Sequence, residues 1–92
     1  MKAVLTYTTM IDGKAVEKTK LFDTTKAKKI CDVKNGFGYK VQEIYITPKG
    51  ILFFHNINEK CLEVADQKEV KKWIGKNEPE KYIKFFGEVE EG

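Results

Sequence analysis

The sequence predicts a small α+β domain with the element order ββαββ(β)αα. Two antiparallel hairpins and a fifth short strand would form the sheet, with one helix in the N-terminal half and two short helices at the C-terminal end. Three observations carry this. The run Glu43 to His55, EIYITPKGILFFH, is the densest in β-branched and aromatic residues and is broken once by a turn. Asp12-Gly13 supplies tight-turn chemistry between two further strand-like runs. After residue 65, apolar residues recur at i, i+3 and i+4 in two short blocks, each closed by glycine.

Residues 3 to 11, AVLTYTTMI, form the first predicted strand, and Ala15 to Phe22 return as the second. Glu17, Lys18 and Lys20 charge the return strand, a pattern suited to a sheet edge, where lysine discourages pairing with other chains. Asp23 stands where an N-cap would stand, ahead of a predicted helix over Thr24 to Cys31. Ala27, Ile30 and Cys31 give that helix a narrow apolar stripe, leaving Lys26, Lys28 and Lys29 to water. Asn35-Gly36-Phe37-Gly38 ends it, with Phe37 expected to plug the core.

The central hairpin is specified in more detail. Pro48 presets φ for the second position of a type I turn, and Gly50 can take the left-handed conformation of the bulge that follows. A Thr47-Pro48-Lys49-Gly50 connection sets Thr47 against Ile51, Ile46 against Leu52, Tyr45 against Phe53 and Ile44 against Phe54. Ile44, Ile46, Leu52 and Phe54 then share one face, which must be core. Glu43, Tyr45, Ile51, Phe53 and His55 share the other, which is either covered or offered to a partner.

Beyond a polar turn at His55 to Lys60, Cys61-Leu62-Glu63-Val64 alternates as a short strand. Asp66 and Glu69 have capping-box spacing, and Val70, Trp73 and Ile74 form a helical stripe expected to stop at Gly75. Pro79 opens a last helix carrying Tyr82, Phe85 and Phe86, stopped by Gly87. Residues 1 to 87 thus read as one domain and 88 to 92 as an acidic, frayed tail.

Composition narrows the function classes. No apolar run approaches the ~20 residues that span a bilayer, and the N-terminus lacks a signal-peptide pattern, so a cytoplasmic protein without membrane contact is expected. Cys31 and Cys61 are expected as free thiols; with His55 they are too few for a structural zinc site, and no cofactor motif is present. Residues 1 to 49 carry ten Lys against five acids and residues 50 to 92 seven against nine, within a net charge of +3. Every basic residue is Lys; the absence of Arg argues against sequence-specific nucleic-acid reading.

The order of the pieces resembles a family of short, largely uncharacterised proteins encoded on phages and conjugative elements of Gram-positive bacteria. The resemblance rests on Asp23 to Ala27, Glu43 to Phe53, Val70-Lys71-Lys72-Trp73, Tyr82 and Phe85-Phe86-Gly87, over about residues 20 to 87. Such proteins usually carry a glycine-rich, serine-containing loop after the hairpin, whereas His55 to Lys60 is short and has no glycine. The resemblance implies a target in host defence or element regulation, with the chain a regulator or inhibitor of a bacterial host protein.

No catalytic set is expected. Cys61, His55 and Glu43 are a thiol, an imidazole and a carboxylate, yet no motif supplies oxyanion donors, and Glu43 and His55 read as a surface pair at the open end of the hairpin. The favoured reading is a non-enzymatic protein-binding module acting by occlusion through Tyr45, Ile51, Phe53 and His55. The alternative is weak, sequence-nonspecific nucleic-acid binding through Lys14, Lys18, Lys20, Lys26, Lys28 and Lys29, with Tyr45 and Phe53 for base stacking.

Overall fold

The computed structural model describes residues 1–92. Six strands precede two helices: β1 Lys2–Ile11, β2 Lys14–Asp23, β3 Lys28–Lys34, β4 Lys40–Ile46, β5 Leu52–Asn56, β6 Cys61–Val64, α1 Gln67–Asn77 and α2 Pro79–Phe86. The α+β class stands, but there are two antiparallel sheets, one of β1-β2 and one of β3-β4-β5-β6.

The predicted N-terminal-half helix is absent. Residues 24–27 make a turn and Lys28–Lys34 a strand on the edge of the larger sheet. Asp23 does accept hydrogen bonds from the Thr25 amide (2.9 Å) and hydroxyl (2.7 Å), but these close a turn rather than cap a helix. The apolar spacing was ambiguous for a physical reason. β3 is bulged against β4 between Lys29 and Cys31, so Ile30 and Cys31 both enter the core, and Val33 continues on the same side. A bulged strand therefore shows the same inward neighbours as one helical turn. Eight Lys-rich residues gain little from helix propensity alone, whereas β3 gains a ladder with β4.

The β4–β5 hairpin has the expected register, with Ile46 opposite Leu52, Tyr45 opposite Phe53, Ile44 opposite Phe54 and Glu43 opposite His55. The Gly50 amide donates to the Thr47 carbonyl at 2.9 Å, and Gly50 sits at φ 86°. The β1–β2 turn likewise uses positive φ at both centres, 52° at Asp12 and 78° at Gly13. The short strand Cys61–Val64 forms as expected and pairs with β5.

The Asp66 carboxylate accepts from the Glu69 amide at 3.0 Å and starts α1. The helix runs through Gly75 to Asn77 instead of stopping at the glycine. A Cβ at position 75 would lie 3.2 Å from the Tyr82 ring, so the bare backbone there lets α2 fold back closely on α1. α2 begins at Pro79 and ends before Gly87, φ 95°.

These pieces stack in three layers. On one face of the larger sheet, Ile30, Cys31, Ile44 and Leu52 pack with Ala65, Val70 and Ile74, flanked by Phe54, Trp73, Tyr82, Phe85 and Phe86. On the other face, Phe53 and Leu62 pack against Phe22, with Leu5, Tyr7, Tyr45 and Ile51 around them. The covering layer on this second face is therefore the β1–β2 hairpin, and both C-terminal helices lie on the first. Phe37 takes no part in either core: it is 88% exposed on the β3–β4 loop, where the Asn35 side chain accepts from the Phe37 and Tyr39 amides. No helix is long and apolar enough to cross a membrane.

Candidate functional site

Side-chain alternation aims Glu43 and Tyr45 of β4, Lys29 and Asp32 of β3, and His55 of β5 at the hairpin side of the larger sheet. Glu43 is the one buried charged residue of the chain, 8% exposed. Lys29 Nζ approaches Glu43 Oε2 at 2.8 Å and Asp32 Oδ1 at 2.6 Å; Lys40 Nζ donates to Glu43 Oε2 at 3.0 Å. His55 Nδ1 lies 2.8 Å from Glu43 Oε1, and the Tyr45 hydroxyl donates to the same oxygen at 3.4 Å. Since an ionised carboxylate offers only lone pairs, Nδ1 of His55 carries the proton in this contact.

Burial alone would raise the Glu43 carboxyl, but the hydrogen bonds from Lys29, His55 and Lys40 outweigh it and hold the group down at about 2. Its hydrogen bonds to Asp32 and Glu43 raise the Lys29 ammonium above the usual lysine range. Burial, followed by the Glu43 charge, raises the Tyr45 phenol. Both oxygens of Glu43 are occupied by donors, so the carboxylate joins three strands and has no lone pair directed at a substrate. Glu43 and His55 pair as expected from the register, but as a part-buried network rather than a surface pair.

Cys61 does not join them. It sits opposite Asn56, while His55 sits opposite Leu62, so the thiol and the imidazole project from opposite faces of the sheet. Cys61 Sγ is 3.7 Å from the Asn56 side-chain amide. Cys31 is buried, and burial pushes its thiol up to about 11. Both cysteines are free, and nowhere do three or more His, Cys, Asp or Glu side chains converge as a metal would require.

Of the residues proposed to meet a protein partner, Phe53 is 0% exposed, in edge contact with Phe22 (ring centroids 5.2 Å) and stacked on Tyr45 (5.5 Å). Tyr45, Ile51 and His55 are half-buried beside it. The chain's own first hairpin thus occupies the face on which the partner was expected, and the same packing withdraws Tyr45 and Phe53 from base stacking.

The six lysines of the alternative reading do not form one surface. Lys14 begins β2 at the hairpin tip, about 30 Å along the strand from Asp23 at ~3.4 Å per residue. Lys18 and Lys20 stand opposite Tyr7 and Leu5 on the inner side of that hairpin, and Lys29 is tied to Asp32 and Glu43. Of the six, Lys26 and Lys28 line one groove and Lys28 and Lys29 an adjoining one, away from Lys14 and Lys18.

Sequence reasoning also missed Gln67. Its side chain accepts from the Leu52 amide at 2.7 Å and donates to the Leu52 carbonyl at 2.8 Å and the Ala65 carbonyl at 2.7 Å. It thereby ties the first turn of α1 to the start of β5. Nothing in local composition marks a helical glutamine for that task, whereas Glu43, a carboxylate directly before the apolar run Ile44-Tyr45-Ile46, is a visible signal. No protein-family model, curated protein or solved structure matches this chain.

Proposed function

We propose that this chain is a non-enzymatic protein-binding module whose contact surface is strand β1. The observation that supports it is the character of that strand's free edge. β1 and β2 form a two-stranded sheet, so each has one unpaired edge. The β2 edge is guarded by Glu17, Lys18 and Lys20, but β1 carries no charge from Ala3 to Ile11. β6 approaches β1 without pairing with it, and a long, uncharged edge with no hydrogen-bonded neighbour is what an incoming extended segment needs, because backbone groups supply the affinity and side-chain pockets the selectivity. The outer face beside it presents Val4 (67% exposed), Met10 (65%) and Leu21 (57%), giving an added strand apolar side chains to meet.

On this reading the protein acts by occlusion, capping an extended segment of its target. The resemblance noted above makes the target a bacterial host protein and the chain a regulator or inhibitor carried by a mobile element. Affinity capture from a Gram-positive lysate with the wild type and a Thr8→Lys, Met10→Lys double variant tests it. The wild type should recover a partner that the folded variant loses, and amides of Val4 to Met10 should gain protection from hydrogen exchange in the complex. Equal recovery by both proteins, or recovery by neither, overturns the proposal.

A further inference from the structure

The end of the molecule around the Thr47–Gly50 turn is bordered by lysines that the structure leaves unpaired. One groove there, about 440 Å³, is lined by Lys26, Lys28, the Thr47-Pro48 turn, Gly50 and Phe85. A second, about 570 Å³, continues from it and is lined by Lys28, Lys29, Lys84 and Phe85. The two share Lys28 and Phe85, and no carboxylate lines either. Lys26, Lys28 and Lys84 enter no ion pair, whereas Lys29 is neutralised by Asp32 and Glu43. Lys84 Nζ rests over the Phe85 ring at 5.5 Å, which holds its ammonium at the groove. Across the turn, Lys20 and Lys49 line a third depression with no acid in it. The acidic residues Glu88, Glu90 and Glu91 follow α2 but line none of these grooves.

The molecule contains its own contrast. The groove between β3 and α2, about 530 Å³, holds Lys29, Lys34 and Lys81, but Asp32 and Glu78 line it too. The three grooves around the turn thus share a cationic lining without counter-charge. Unpaired ammonium groups spaced along a continuous groove match a chain of phosphates, each contact releasing a condensed counterion. The half-buried Phe85 ring at the junction lies under the Lys84 ammonium, so a base reaches it only as Lys84 swings onto a phosphate, an arrangement a flexible single strand can adopt and a duplex cannot.

We infer that the paired grooves around Phe85 bind the phosphodiester backbone of single-stranded nucleic acid through Lys26, Lys28 and Lys84. This site is separate from the β1 edge, so its failure leaves the protein-binding proposal standing. The test is fluorescence anisotropy with an oligothymidylate of about 12 nucleotides at salt concentrations rising from about 20 mM. The wild type should bind in the range of 10⁻⁴ to 10⁻⁶ M typical of non-specific contacts, expressed at low salt. The Lys26→Gln, Lys28→Gln, Lys84→Gln variant should bind at least about tenfold more weakly, with the salt slope reduced by about 2. The Lys34→Gln, Lys81→Gln control in the balanced groove should bind as the wild type does. Equal binding by the triple variant, equal loss in the control, tighter binding of a duplex of the same length, or no binding by the wild type would each overturn the assignment. Lysine acetylation of the wild type with and without oligothymidylate gives a reading that needs no variant. Lys26, Lys28 and Lys84 should be protected while Lys14, Lys34 and Lys76 are not, and uniform labelling would sink the proposal.

Discussion

Glu43 shows how one side chain is held against its own desolvation. A carboxylate this buried would by itself protonate more readily; three cationic or N–H donors reverse that and depress it from 4.5 to about 2. Because the folded state holds the lower pKa, the stabilisation is fully present above about pH 4.5 and is lost as pH falls toward 2. The shift corresponds to an upper bound of about 3.5 kcal/mol, at ~1.4 kcal/mol per unit, which solvent screening of the lysine partners reduces. Urea unfolding of the wild type and a Glu43→Gln variant between pH 6 and pH 2.5 checks this, for the gap between them should close across that window. A constant gap would place the network's contribution in packing instead of charge. The pairing of Glu43 with His55 was legible, since the turn set the register. Lys29 was not, because its local spacing fits the exposed side of a helix equally well, and only the bulged strand points it at the carboxylate.

At the scale of elements, the first hairpin acts as a lid on the second face of the larger sheet. Its principal anchor is Phe22, 1% exposed, with its ring edge against Phe53 and Tyr7 against its own ring at 6.0 Å. Phe22→Ala should cost about 3 to 5 kcal/mol by thermal or denaturant unfolding, as for other buried aromatic truncations. Val4→Ala on the outer face of the same hairpin should stay within about 0.5 kcal/mol, as surface changes do. The alternation that sends Leu5, Tyr7 and Phe22 inward was present in the sequence, as was the Asp12-Gly13 turn. What could not be read locally was that this hairpin would pack across the larger sheet rather than join its edge, since both arrangements bury the same alternate residues. Tyr45, Ile51, Phe53 and His55 were thereby reassigned from a candidate interface to an interior layer.

For the whole molecule, the three-layer order means that neither covering layer is dispensable. A chain beginning at Thr24 would uncover Phe53, Leu62 and Tyr45 together, an apolar patch of the kind that drives association. Such a truncation should bind a hydrophobic dye and self-associate in sedimentation, while the full chain does neither; a monomeric, dye-negative truncation would show that the hairpin is not structurally required. The same order leaves β1 with a free, uncharged edge and gathers unpaired lysines at the Thr47–Gly50 end, so the two proposed contact surfaces are consequences of the stacking. The sequence by itself determined the turns at Asp12-Gly13 and Thr47–Gly50, the register of β4 with β5, the two faces of that hairpin and the two C-terminal helices. Each of these follows from φ preferences or from side-chain period over a few residues. Only the tertiary structure decided that Lys28–Lys34 is a strand, that Glu43 gathers Lys29 and Lys40 in addition to His55, and that the first hairpin closes the second face. Those outcomes depend on which distant surfaces meet: Ile30 and Cys31 carry the same local pattern whether they belong to a bulged strand or a helix, and Ala27, expected on their stripe, packs on the opposite face of the sheet.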